Sequence, residues 1–250
     1  GVNPWLALLC AFACGMLAGF VTGMFHTKCG IPAILAGILT QFALYSINLR
    51  IMGKANQTAS IKNFGMFWET NGKGFLMSSL YVPQALIAGL LLSAALVALL
   101  YWYFGTEQGS AMRATGANPS MSRAQGINVS NMKLLGLALS NGMVALAGGL
   151  MTQFQGTADV SMGRGAIVIG LAAVIIGEVA FGKLFGNFAL KLLGVAIGAV
   201  IYYIVLQIVL QLGLNTNDLK LVSALIVAVF LAIPYWKSHI HTKKGGSVHA

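Results

Sequence analysis

The chain is 250 residues long, 58% hydrophobic and only 8% charged, with a mean hydropathy of +0.82. A water-soluble domain carries about 25% charged residues, so a soluble globular fold is excluded for want of polar surface. Lys and Arg number 15 against 5 Asp and Glu, a net charge of +10, but the cations stand singly at the ends of apolar runs. That is the placement of membrane-boundary anchors, not of a phosphate-tracking stripe, and nucleic acid is excluded as the partner.

Runs of about 20 apolar residues predict spanning helices rather than a barrel. The fold class expected is therefore all-α, a polytopic integral membrane protein of about seven spans. Residue 1 is Gly and no charged segment precedes the first apolar run, so a further N-terminal span is expected to be missing. The first span is predicted at Trp5–Phe25. Ala7, Ala11, Gly15, Gly19 and Gly23 recur there at four-residue intervals, a small-residue stripe that lets another helix approach closely, within the chain or across a dimer. Cys10 and Cys14 share a helix face, and with Cys29 they make an odd count without a C-x-x-C pair. They read as small buried hydrophobes, not as a metal site.

After a tight turn at His26–Gly30, Pro32 restarts a helix to Met52. Thr40, Gln41, Tyr45 and Asn48 recur at helical spacing within it. Polar groups facing lipid are costly, so this side is expected to meet protein or a water-filled path, and a broken or re-entrant helix is expected here. Residues 53–79 read as an extramembrane loop with an interfacial piece. A third span, Leu80–Phe104, closes on Tyr101, Trp102 and Tyr103, the aromatics of a headgroup boundary.

The polar interruption Ala111–Ser130 follows. Asn118 suits an N-cap and Pro119 the first helical position, whose missing N–H costs nothing. Gly126 can supply the left-handed residue that stops a helix, and Gly116 breaks the chain ahead of the cap. The expectation is a two-turn helix, Pro119–Gln125, set in a loop of residues 105–131 and surrounded by Arg113, Arg123 and Lys133. Further spans are predicted at Met132–Phe154, which contains Asn141, at Gly165–Phe181, which contains Glu178, at Leu192–Leu212 and at Leu221–Trp236. Glu178 lies near Lys183, with which a span-end ion pair is expected. Residues 1–236 thus form one transmembrane domain, and 237–250 a basic tail.

With the central loop placed in the cytoplasm, Lys28, Arg113, Arg123, Lys133, Lys183, Lys191, Lys237, Lys243 and Lys244 lie inside and only Arg50, Lys54, Lys62, Lys73, Arg164 and Lys220 outside. The bias of basic residues favours that orientation, with the tail also cytoplasmic. The sequence holds no G-x-S-x-G, H-E-x-x-H or P-loop motif, so no catalytic, metal or ATP-hydrolysing site is expected in this chain.

The stretch Ala114–Leu150, ATGANPSMSRAQGINVSNMKLLGLALSNGMVALAGGL, resembles the cytoplasmic-loop-plus-helix signature of bacterial ABC importer permeases of the branched-chain amino acid/ribose group. IPAILAGILTQFALYSINLR and IGLAAVIIGEVAFG resemble two other helices of that family. The length is similar to the subgroup serving aromatic amino acid (tryptophan/tyrosine-type) uptake. The resemblance implies a permease homodimer in the bacterial inner membrane, ATP-binding subunits that hold ATP and magnesium, and an extracytoplasmic solute-binding protein. It implies a coupling role for Gly116, Ala117, Asn118, Pro119, Ser120, Ser122, Arg123 and Gly126. Thr40, Gln41, Tyr45, Asn48, Asn141 and Glu178 are nominated for the solute path. The competing reading is a stand-alone channel or secondary transporter, against which the scarcity of buried acids for ion coupling argues.

Overall fold

The computed structural model describes residues 4–58, 69–70, 73–74, 82–163, 166–181, 188–211, 228 and 232. In chain order these form α1 (Pro4–Thr27), α2 (Ala33–Met52), β1 (Asn56–Thr58), β2 (Glu69–Thr70), β3 (Lys73–Gly74), α3 (Val82–Gly105), α4 (Glu107–Ala117), α5 (Pro119–Ala124), α6 (Val129–Gln155), β4 (Thr157–Asp159), α7 (Ala166–Phe181) and α8 (Phe188–Gln211). Among the described residues four helices, α1, α2, α6 and α8, are long and apolar enough to cross a membrane, or five if the bent pair α3–α4 counts as one span. Six of the seven predicted spans fall on helices, though α7 is a shorter apolar helix. The seventh, 221–236, lies outside the described residues, as do the tail and most of the loop at 53–79. The protein is a multi-pass membrane protein.

Two compact units divide the chain, Gly1–Leu92 with Trp102–Gly163, and Ser93–Tyr101 with Arg164–Ala250. In the first, the glycine stripe of α1 lies against α6. A Cβ on Gly15 would stand 2.7 Å from the Asn141 carbonyl oxygen, and one on Gly19 2.8 Å from the Ala138 Cα. The backbones are thus too close for any side chain between them. Gly142 and Gly149 answer from α6, the former beneath Met16 and Phe12, the latter beneath Leu8. Lipid tails are as apolar as Leu, so this close van der Waals fit, rather than the hydrophobic effect, holds the two helices. The stripe is filled by α6 of the same chain and leaves no room for a second copy there.

These contacts run antiparallel, Gly23 meeting Leu134 and Leu8 meeting Gly149. The turn after α1 therefore lies at the same end as the start of α6, and Lys28 at the same end as Lys133. In that turn His26 donates from Nδ1 to the Ile31 carbonyl at 2.8 Å. At the opposite end Gly53 and Gly156 close α2 and α6 in the left-handed conformation. Each releases the chain into a short strand, and β1 and β4 pair antiparallel with Gln57 opposite Ala158.

Two expectations are corrected. The helix α2 is unbroken from Ala33 to Met52, because its polar side chains need no gap in the backbone ladder: Thr40 Oγ donates back to Ala36 O at 2.9 Å and Ser46 Oγ to Phe42 O. The sharp break falls instead between α3 and α4, which are bent by 84°. Cys10, Cys14 and Cys29 are exposed, not buried: the first two lie on α1, where lipid offers a thiol an apolar surround as good as a core, and Cys29 lies in the turn that follows it. In the second unit α7 and α8 meet through Gly177 against Gly194 and Gly198 against Ala173. Ala172, Ile176 and the fully buried Tyr202 form the core there, flanked by Ile169, Ile201, Val205 and Leu206.

Candidate functional site

The polar interruption is two helices and not a loop with one. Thr106 begins the first: its Oγ accepts from the Gly109 N–H at 3.3 Å and donates to the Tyr103 carbonyl at 2.6 Å. The elbow is tight enough that a Cβ on Gly109 would collide with the Tyr103 carbonyl and Phe104 backbone. α4 then packs on α6, with the Met112 thioether against Gly136 and Thr115 buried. Gly116 lies in the last turn of α4 with open space beside it. It is helical, so the break assigned to it by sequence falls two residues later.

Asn118 makes that break, with extended backbone at φ −150° and ψ 99°. Its own N–H closes α4 by donating to Ala114 O at 2.9 Å, while its Oδ1 opens α5 by accepting from Ser120 and Met121 N–H, both at 3.1 Å. One residue therefore satisfies orphan groups of two helices. Pro119 occupies the first position of α5. At the far end Gly126, φ +83°, donates to Arg123 O at 3.0 Å and Ile127 donates to Ser122 O at 3.0 Å. These are the two bonds of a Schellman stop, which demands a left-handed residue that a side chain would strain. Asn128 follows at once as the cap of α6, accepting from Asn131 N–H at 3.2 Å.

α5 is thus pinned at both ends and stands outward on one buried residue. Ser122 is 2% exposed and donates its Oγ to Asn118 O at 3.0 Å. Ala117, Asn118, Pro119, Ser120, Arg123 and Gly126 are exposed. So is Met121, at 59%, an apolar side chain that sequence reasoning passed over. Its place between two polar serines in a short capped helix was the available signal. An exposed thioether beside an exposed guanidinium suits contact with an apolar pocket rimmed by acid.

The nominated path residues do not share one surface. Thr40 faces α1, where Thr22 donates to it at 2.8 Å in a buried pair. Gln41, Tyr45 and Asn48 are exposed together on α2. Asn141 lies in the α1–α6 seam beside Gly19 and donates back to Leu137 O at 2.9 Å. Glu178 is exposed near the end of α7, and Lys183, its expected partner, lies outside the described residues. Thr22 was not singled out from sequence, because a lone Thr in an apolar helix carries no signal without its partner. No group of three His, Cys, Asp or Glu among the described residues could hold a metal ion.

Comparison with known proteins gives this arrangement its setting. The family model described as "Branched-chain amino acid transport system / permease component" matches residues 1–234. The chain is 39% identical over 236 residues to the tyrosine transport system permease protein of Clostridioides difficile (strain R20291), covering 93% of this chain and 74% of that one. It is 32% identical over 228 residues to an uncharacterized protein of Rickettsia prowazekii (strain Madrid E), covering 90% and 78%. It is also 28% identical over 242 residues to the fructose import permease protein of Bifidobacterium longum (strain NCC 2705), covering 96% and 65%. No solved structure matches. Such permease components are transport subunits and not enzymes, and the family works with ATP-binding subunits. With its family model matched from the first residue to the 234th, the chain belongs to the permease components of ABC transport systems of the branched-chain amino acid type.

Proposed function

We propose that this chain is the membrane-spanning subunit of an ATP-driven importer of aromatic amino acids, with α5 as the helix that receives the stroke of an ATP-binding subunit. The observation that carries the coupling role is α5 itself, capped at its start by the Asn118 side chain, stopped at its end by two backbone bonds, and with Met121 and Arg123 exposed. The tyrosine permease relative supports the substrate class. On this reading residues 105–131 and 237–250 lie in the cytoplasm of a bacterial inner membrane. A second copy of the chain completes the permease, the ATP-binding subunits hold ATP and magnesium, and an extracytoplasmic solute-binding protein delivers the solute.

Transport then proceeds by alternating access. A nucleotide-driven change in the ATPase moves α5, and a helix that cannot fray passes displacement on to α4 and α6 instead of absorbing it. Gln41, Tyr45 and Asn48 are the groups assigned to the path, since a polar stripe on a spanning helix needs water or protein beside it. Net transport requires that the nucleotide favour one of the two states, because equal affinity for both shifts nothing.

The test is a reconstituted complex of permease, ATPase and binding protein in proteoliposomes. Arg123→Glu should abolish solute-stimulated ATPase activity while the complex elutes intact. Unchanged stimulation would overturn the role of α5. Uptake of tyrosine or tryptophan, but not of leucine or fructose, is expected, and uptake of either of the latter alone would overturn the substrate class. Uptake in liposomes without the ATPase would establish the channel or secondary-transporter reading instead.

A further inference from the structure

Where α3 turns into α4 the surface holds an open cleft of about 440 Å³, lined by Trp102, Tyr103, Thr106, Glu107 and Gln108. Its depth in the bilayer follows from its two helices. α3 is apolar up to its final aromatics, and Trp and Tyr at the end of such a run sit at headgroup level. α4 leaves at 84°, so when α3 crosses the membrane α4 lies close to the membrane plane. The cleft therefore opens among lipid headgroups. Trp102 is 72% exposed and offers a ring face to that layer instead of packing inside the protein.

The charge of the cleft runs against the rest of the chain. In a protein of net charge +10, Glu107 is the sole acid in residues 70–158. No basic side chain among the described residues pairs with its carboxylate, and its carbonyl accepts from Ser110 Oγ at 2.8 Å. Placed at the start of α4 it favours the helix dipole, a role that uses none of the carboxylate's outward hydrogen-bonding capacity. A carboxylate beside an aromatic face, at the edge of a bilayer, is the chemistry that recognises an organic ammonium. The Gln108 amide on the same rim can donate to a phosphate oxygen.

We propose that this elbow cleft is a headgroup site for a phosphatidylethanolamine-type lipid, its primary ammonium held between the Glu107 carboxylate and the Trp102 ring. A phosphatidylcholine keeps the positive charge but loses the N–H donors, and binds less well. A phosphatidylglycerol brings only negative charge, and Glu107 repels it. Neither the direction of transport nor the role of α5 enters this assignment.

The experiment uses the chain with Trp5, Trp68 and Trp236 each replaced by Phe, leaving Trp102 as the reporter, in nanodiscs of mixed composition with one brominated lipid at a time. Quenching by brominated phosphatidylethanolamine should exceed that by brominated phosphatidylglycerol by roughly threefold or more, the scale of one cation–π contact with one exposed ion pair. Glu107→Gln should level the two, and Glu107→Lys should invert them. Headgroup-blind quenching, or a preference that survives Glu107→Gln, overturns the proposal. Phosphoethanolamine added free at millimolar concentration should not relieve the quenching; if it does, the cleft takes a soluble ammonium solute and the lipid assignment fails. Should the triple replacement not fold, the unsubstituted chain provides a second reading. Its co-purifying lipid should be richer in phosphatidylethanolamine than that of Glu107→Gln, and equal compositions would overturn the site.

Discussion

Thr22 of α1 and Thr40 of α2 meet hydroxyl to hydroxyl at 2.8 Å, and both side chains are buried. Each hydroxyl also reaches a carbonyl of its own helix, Thr22 to Ala18 O at 3.0 Å and Thr40 to Ala36 O at 2.9 Å, so one proton bridges the helices and the other returns to backbone. Such bonds between membrane helices average about 0.6 kcal/mol and reach roughly 1.7. A double-mutant cycle on Thr22→Val and Thr40→Val, followed by unfolding in detergent, should give a coupling energy of that size. Zero coupling would mean that the two side chains contribute only shape.

Gly19→Val should be among the most damaging single changes in the first unit. The added atoms would enter a space in which Ala138 and Asn141 already stand 2.8 Å from a Cβ. Overpacking of this kind costs about 1–3 kcal/mol or more. Gly37→Ala is the control, because Gly37 is helical with nothing within 4 Å. It should raise stability by about 0.5–1 kcal/mol through the smaller entropy lost on folding. Thermal unfolding of both variants in one detergent reads the two signs.

Asn118→Ala removes the acceptor for the Ser120 and Met121 N–H groups. Loss of such a cap costs about 1–2 kcal/mol, a factor of roughly 5–30 in the population of the intact helix. Solute-stimulated ATPase activity should fall, and Asn118→Asp or Asn118→Ser should restore most of it, because either can cap. Gly126→Val should act alike from the other end, since a β-branched residue resists φ +83°. If Asn118→Ala retains full stimulation, the stiffness of α5 is not what transmits the stroke.

Met121→Ala should weaken capture of the ATP-binding subunit without disturbing the permease. The side chain is 59% exposed, so the isolated chain loses little packing. Burial of a Met side chain is worth about 1.5–3 kcal/mol, and truncation to Ala forfeits much of that. Affinity measured by surface plasmon resonance in nanodiscs should drop, and more steeply than for Gln125→Ala. An unchanged affinity would place the contact elsewhere on the segment.

The parts legible in the sequence are those set by local chemistry. Asn118–Pro119 and Gly126 marked the ends of α5 because caps and left-handed stops depend on residues a few places apart. The spans of α1, α2, α3, α6 and α8 were legible because lipid thickness fixes their length. α4 was not legible: EQGSAMRATGA carries two glycines and no apolar stripe. Its helix is held by what it touches, Gly109 on the elbow and Met112 on Gly136, so tertiary contact overrides propensity. The split of Thr40 from Gln41 was hidden for a like reason. Neighbours on a helix point about 100° apart, and only the position of α1 decides which of them is buried.

The α1–α6 seam joins Gly19 to Asn141, partners separated by about half of the chain. Ribosomes add about 5–20 residues per second, so α1 waits in the bilayer for roughly 6–25 s between its own synthesis and that of its partner. During that interval its bare glycine ridge faces lipid and any other helix nearby. Newly made α1–α2 hairpins are then the species most exposed to pairing with the wrong helix. Slowing translation between the codons of Met52 and Val129 should lower the yield of folded permease more than slowing it after Gln155.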